Sequence, residues 1–104
     1  MLFIDAPRSE DELRAIGAAG IGTPLLVNVS EYGRTPDLGA AAFEALGFAI
    51  ALYPTSTLFA ASQSTKELAE SLRDTGSTRA VVSRMMPFDE LNETLGKDEW
   101  DVVP

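Results

Sequence analysis

The stretch Pro24-Leu25-Leu26-Val27-Asn28-Val29-Ser30-Glu31-Tyr32-Gly33-Arg34-Thr35-Pro36 decides how the rest of the chain is read. It opens with an apolar run that does not alternate with polar residues. It ends in a polar loop punctuated by Gly33 and Pro36. An apolar run without alternation is the pattern of a strand buried on both faces, typical of parallel sheets covered by helices. Two further runs share the pattern: Leu2-Phe3-Ile4 upstream and Phe48-Ala49-Ile50-Ala51-Leu52-Tyr53 downstream. Segments with helical spacing separate the three, giving the expected order β-α-β-α-β-α-α. A helix between successive strands is what a right-handed parallel crossover requires. The fold class expected is therefore α/β, built on three parallel strands.

The helices have readable ends. Ser9 with Glu12 forms a capping box, followed by apolar Leu13 and Ile16, with Gly17 or Gly20 as the stop. A second helix is expected from Thr35 as N-cap and Pro36 as first helical residue, with Leu38, Ala42, Phe43 and Leu46 on its apolar face and Gly47 beyond its end. A third is expected from about Thr57 to Thr75, with Gly76 as stop. A fourth starts at Ser77 or Thr78, carries Val81, Val82, Met85 and Met86, and is cut by Pro87. A last short turn covers residues 89–95 before Gly96. Residues 97–104 show no periodicity and are expected as a tail.

Composition bounds the function. The chain has 104 residues, with 45% hydrophobic and 23% charged, which is ordinary for a folded domain. It contains no cysteine and no histidine, so disulfides, thiolate zinc sites, cysteine nucleophiles and imidazole chemistry are excluded within it. Sixteen acids against eight bases give a formal charge of −8. No Lys/Arg cluster offsets that field, so nucleic acid and anionic membrane are not expected partners. No apolar run approaches the ~20 residues of a membrane span. No signal peptide is recognised, and a cytoplasmic location is expected. The acidic runs Glu10-Asp11-Glu12 and Asp98-Glu99-Asp101 read as solvated helix starts or tails.

Ligands of parallel α/β folds bind beyond the carboxyl ends of the strands, where those ends converge on one rim. The residues just past the apolar runs are Asp5, then Asn28 with Ser30 and Glu31, then Tyr53 with Pro54, Thr55 and Ser56. Carboxylate, amide and hydroxyls together suit a metal-bound carboxylate substrate. Each has a plainer reading. Asp5 caps the turn before Pro7, Asn28 bonds a partner in the next strand, and Thr55, Ser56 and Thr57 are N-caps. Gly33 is read as a positive-φ position. Gly17, Gly20 and Gly22 follow a helix and lack a P-loop lysine, so they are not a phosphate loop. Met85, Met86 and Phe88 read as packing.

The loop from Asn28 to Pro36 resembles the N-[MIV]-[TS]-E-[FY]-G-x-[TS]-P motif of the isocitrate lyase/phosphoenolpyruvate mutase superfamily. Within it the chain is most similar to 2-methylisocitrate lyases and carboxyvinyl-carboxyphosphonate phosphorylmutase-like proteins. Phe3-Ile4-Asp5-Ala6 is similar to the preceding F-x-E-A segment. Ala45-Leu46-Gly47-Phe48 through Tyr53-Pro54, Arg73-Asp74-Thr75-Gly76 and Phe88-Asp89-Glu90-Leu91 continue the likeness over nearly the whole chain.

The resemblance implies the C-terminal part of a (β/α)₈ TIM-type barrel, βαβαβα plus terminal helices. It makes residues 1–104 a single partial domain: 1–54 a βαβαβ barrel segment, 55–76 a helix exchanged between subunits, and 77–104 terminal helices and tail. It implies a Mg²⁺-dependent carbon–carbon lyase acting on a 2-methylisocitrate- or isocitrate-like carboxylate through an enolate. By this likeness Asn28, Ser30, Tyr53 and Pro54 bind substrate. Asp5 replaces the family's glutamate and reaches the metal through water, one methylene shorter. Glu31, Gly33 and Pro36 shape the loop, and Phe59 stands where many members carry arginine. The direct Mg²⁺ ligands, the arginine clamp and the catalytic cysteine loop belong to regions this chain does not match. No catalytic residue is therefore assigned, and the chain alone is expected to be inactive. The expected partners are a small carboxylate substrate and either a second copy, through helix exchange, or the missing barrel half. Alternative readings are a non-catalytic self-associating fragment, or part of a phosphonomutase or of an oxaloacetate-acting relative.

Overall fold

The structure, a computed structural model, describes residues 1–100, with the side chain of Asp98 left aside. Three strands, β1 (Leu2–Ile4), β2 (Leu25–Asn28) and β3 (Phe48–Leu52), form one sheet in the order β1-β2-β3. Both pairings are parallel. Helix α1 (Glu10–Gly17) connects β1 to β2, and α2 (Ala40–Ala45) connects β2 to β3. Then follow α3 (Ser56–Thr75), a 3₁₀ turn Val82–Arg84, α4 (Phe88–Thr94) and α5 (Lys97–Trp100). The parallel α/β class read from the apolar runs is the one observed.

Cα packing divides the chain into two compact units, Met1–Ala61 and a second beginning at Ser62. The core of the first is Leu13 from α1, Leu25, Val27 and Val29 from β2 and its extension, Phe43 from α2 and Phe48 from β3. Phe43 and Phe48 meet edge to face at 6.1 Å between ring centroids, an arrangement that suits the ring quadrupoles. Ile4, Ile16, Leu38, Leu46 and Ala51 pack around them. In the second unit Val81 is buried, and Arg84 pairs with Glu67 beside a cleft lined by Ser64, Thr65, Leu68 and Met85. Among the described residues no helix is long and apolar enough to cross a membrane.

Several local expectations are corrected. The strands are covered on one face only. Leu25 and Val27 are buried against α1 and α2, while the alternate positions are not. Ser9 does accept from the Glu12 amide at 3.1 Å, but the Glu12 carboxylate returns to the Arg8 amide, one residue earlier than a capping box places it. The second helix does not start at Thr35 and Pro36. It starts at Ala40 after Gly39, whose φ of 78° lies outside the helical range. The cause is Asp37, whose Oδ1 accepts from the Gly39 amide and holds an Asx turn in place of a first helical turn. The fourth helix is a single 3₁₀ turn ending at extended Met85. Met86 precedes Pro87, which disfavours helical backbone there. The short turn expected over residues 89–95 is α4, which starts at Phe88, and residues 97–100, expected as tail, form α5. Residues 101–104 lie outside the described residues.

Candidate functional site at the strand ends

The strand register brings the residues past the apolar runs together. Ile4 pairs with Val27, Val27 with Ala51, and Asn28 with Leu52. The Val29 amide donates to the Leu52 carbonyl at 2.8 Å, carrying the ladder one residue further. Asp5 follows Ile4 directly, so it sits beside Asn28, and Asn28 Nδ2 donates to Asp5 Oδ1 at 3.2 Å. The two residues thus form a pair at adjoining strand ends. Asn28 Oδ1 is closed off from solvent and has no hydrogen-bond partner in the described structure. An orphaned acceptor of this kind costs about 1–3 kcal/mol.

Beside the pair lies a cleft of about 390 Å³ lined by Val29, Ser30, Glu31, Tyr32, Gly33, Thr35, Asp37 and Tyr53. Ser30, Glu31, Gly33 and Tyr53, all singled out from the sequence, therefore surround one space. Asp5, Asn28, Pro36 and Pro54 are not among its lining residues. The candidate residues fall into two neighbouring groups, a strand-end pair and a loop cleft.

The acids of the cleft are already engaged. Glu31 accepts from the Thr55 hydroxyl at 2.7 Å and from the Ser56 hydroxyl. These donors, Ser56 foremost, hold its carboxyl below the usual value. The bonds tie the loop after β2 to the start of α3. Thr55 and Ser56, read as N-caps, spend their hydroxyls on Glu31 instead. Tyr53 donates its hydroxyl to Asp37 Oδ1 at 2.8 Å. That bond first, with burial and the Asp37 and Glu31 charges behind it, raises the phenol above its ordinary value. Tyr53 therefore stays protonated at neutral pH, and Asp37 carries two donors.

The positive φ expected at Gly33 falls on Tyr32, at 62°. Gly33 is required for another reason: a Cβ there would stand 2.8 Å from the Ser30 carbonyl oxygen, to which the Gly33 amide itself donates at 2.9 Å. Tyr32 is 97% exposed and meets Phe59 with ring centroids 5.8 Å apart. An outward tyrosine in left-handed backbone is a strained feature of the kind found at binding sites. Sequence reasoning gave no role to Asp37. The signal was present, since an Asp two residues before a glycine is an Asx-turn pattern.

The residues do not by themselves make a metal centre. Among the described residues no group of three or more acids converges on a point that could hold an ion. Asp5 is the only acid of the strand-end pair, and one of its oxygens is committed to Asn28.

A parallel α/β sheet with polar groups at converging strand ends defines a segment of an α/β fold whose ligand side is that rim. No family model matches the chain. It is 34% identical over 99 residues to a 2,3-dimethylmalate lyase of Eubacterium barkeri, covering 95% of this chain and 34% of that protein. It is 29% identical over 102 residues to a 2-methylisocitrate lyase of Halalkalibacterium halodurans, covering 98% of this chain and 34% of that protein. A crystal structure of 2,3-dimethylmalate lyase, described as a PEP mutase/isocitrate lyase superfamily member, superposes with a TM-score of 0.81 at 30% identity, covering 97% of this chain and 35% of that one. The chain belongs to the isocitrate lyase/PEP mutase superfamily and corresponds to a C-terminal-like portion of it. It spans about a third of the length of the relatives it matches.

Proposed function

We propose that this chain is the C-terminal-like portion of a carbon–carbon lyase that works in the cytoplasm. Its substrate is a branched hydroxy-dicarboxylate or tricarboxylate of the 2-methylisocitrate or 2,3-dimethylmalate kind, cleaved through an enolate. The observation that supports it most is the Asn28–Asp5 hydrogen bond at adjoining ends of parallel strands. In this reading Asn28 and Ser30 hold a carboxylate of the substrate, Tyr53 and Pro54 close the rim, and Asp5 acts through water. Glu31, Gly33 and Pro36 keep the loop in shape.

The proton steps of the reaction fall outside the chain. It has no histidine or cysteine, and Asp37 and Glu31 of the cleft each already accept two hydrogen bonds. Mg²⁺, held by ligands outside this chain, supplies Lewis-acid stabilisation of the developing negative charge when bound. Groups of this sort act as a unit, so a chain lacking most of them lacks most of the transition-state stabilisation. A second copy is a partner in this reading, through exchange of α3. That helix has no buried residue along its 20 positions, and Leu58, Phe59 and Leu72 stand exposed on it.

A lyase assay tests the proposal, with Mg²⁺ and with 2-methylisocitrate and 2,3-dimethylmalate as alternative substrates. The purified chain alone is expected to show no turnover above the uncatalysed rate. Turnover is expected when the chain is joined to the remaining two thirds of a superfamily barrel. Robust turnover by the chain alone, or an inactive joined protein that folds, would overturn the reading.

A further inference from the structure

The bases of the first unit are few, and they are engaged unevenly. Residues 1–61 contain three, Arg8, Arg14 and Arg34. Arg14 is paired with Glu10 at 2.6 Å. Arg8 and Arg34 make no ion pair among the described residues, and their guanidinium groups donate no hydrogen bond there. Both line one open cleft of about 480 Å³. The strand register explains why they meet. Ile4 pairs with Val27 in parallel, so the loops that follow leave the sheet on the same rim, one carrying Arg8 and the other Arg34. The backbone under each is held. Pro7 is buried, and the Arg8 amide donates to Glu12 Oε2 at 2.6 Å. The Gly33 amide donates to the Ser30 carbonyl at 2.9 Å, and Thr35 is buried. Two guanidinium groups on one cleft repel, and arginine does not relieve the repulsion by losing its proton. The acids nearest in sequence face other partners, Glu10 the Arg14 side chain and Glu12 the Arg8 amide.

We propose that the cleft lined by Arg8 and Arg34 is a binding site for a small dianionic oxyanion, a phosphate group or a dicarboxylate. Each planar fork presents paired N–H donors that match the oxygen pairs of carboxylate and phosphate. A dianion meets both forks and cancels the repulsion between them. A monoanion meets one, and a single exposed pair contributes little in a chain of formal charge −8. Two cations are too few for a nucleic-acid backbone, and they repel a metal ion. The volume is in the range of small-molecule sites. Neither arginine lines the loop cleft of Ser30, Glu31 and Tyr53, so this is a second place on the rim. It goes beyond the lyase reading, because it uses no residue assigned to that substrate. It gives an acidic chain one cationic spot on the ligand side of its sheet.

The test reads binding without turnover, so a failed lyase assay leaves it standing. The full chain is titrated with inorganic phosphate and, separately, with malonate, at an ionic strength held constant with NaCl. The arginine Nε–Hε signals are followed by ¹⁵N NMR. Saturable shifts are expected at Arg8 and Arg34, and none at Arg14. Arg8→Gln and Arg34→Gln are each expected to weaken binding at least tenfold, whereas Arg79→Gln, in the second unit, leaves it unchanged. Both Arg8 and Arg34 are exposed, and circular dichroism checks that each variant folds. Where a glutamine variant does not fold, the lysine variant at that position, which keeps the charge and loses the fork, is expected to bind more weakly than the native chain. Saturation by phosphate alone supports the proposal with a phosphate group as ligand, by malonate alone with a dicarboxylate, and by both with either. Shifts that do not saturate, that NaCl reproduces, or that survive both substitutions mean an adventitious ion only and overturn it.

Discussion

Asn28 shows what one residue discloses and what it withholds. An amide closing an apolar run must find a partner, because burying it bare costs roughly 2–7 kcal/mol. That much is legible from letters. Which atom is satisfied and which is left over depends on Asp5, 23 positions away and adjacent only after the strands pair. Glu31 carries a pH prediction. Its donors Ser56 and Thr55 lower its folded pKa below the ordinary 4.5. The stability that it contributes is then fully present above the unfolded value and is lost as pH falls through the folded value. Acid titration followed by circular dichroism should therefore show a loss below about pH 4.5 that is reduced in Glu31→Gln. Tyr53 has the opposite sign. Its raised pKa makes its contribution present below the ordinary value of 10.0 and lost as pH rises through the folded value. Tyr53→Phe should remove that alkaline loss. At neutral pH it should cost about 0.5–1.5 kcal/mol for the lost bond to Asp37, measured by urea denaturation.

At the scale of the element, the strands were legible and one helix start was not. Runs such as Leu25-Leu26-Val27 carry their own signal, and their parallel pairing follows from the helix between each pair. The start of α2 depended on a competition. Thr35 and Pro36 look like a cap and a first helical residue, but Asp37 bonds the Gly39 amide and wins three residues of turn. The Met85–Met86 segment looked helical by spacing and failed at the proline that follows. The close approach of α1 to the end of α2 was invisible, because it is a contact between two backbones. A Cβ on Gly17 would stand 1.8 Å from the Leu46 carbonyl oxygen. Gly17→Ala must push the two helix ends apart, and it should cost about 1–3 kcal/mol, as overpacking does, seen as a lower urea midpoint. Ser9→Ala should cost about 1 kcal/mol through the lost cap on the Glu12 amide. A larger effect than that of Gly17→Ala would reverse this ranking.

Among the described residues, the first unit of the molecule, Met1–Ala61, has its core on one side of the sheet, and the other side is not part of that core. Six buried side chains, Leu13, Leu25, Val27, Val29, Phe43 and Phe48, make up the main cluster, while Phe3, Ile50, Leu58, Leu72 and Phe88 stand exposed. The apolar runs read from sequence as two-faced strands are covered in this structure on the helical side only. With so few buried side chains, the chain alone is expected near the lower end of the about 5–15 kcal/mol typical of domains. Phe43 is central to what there is: it is almost fully buried and meets Phe48 edge to face. Phe43→Ala costs about 3–5 kcal/mol in an ordinary core, and here that equals most of the margin. The variant should therefore lose its cooperative thermal transition altogether, whereas Phe88→Ala, at a 72% exposed position of α4, should leave the transition in place. If the face opposite the helices is where further strands settle, adding those strands should restore a cooperative transition to Phe43→Ala, because the second face then shares the load. A rescued transition measured by calorimetry on the joined protein, absent from the chain alone, is the expected result. A Phe43→Ala chain that melts cooperatively by itself would show that the helical side alone is a complete core.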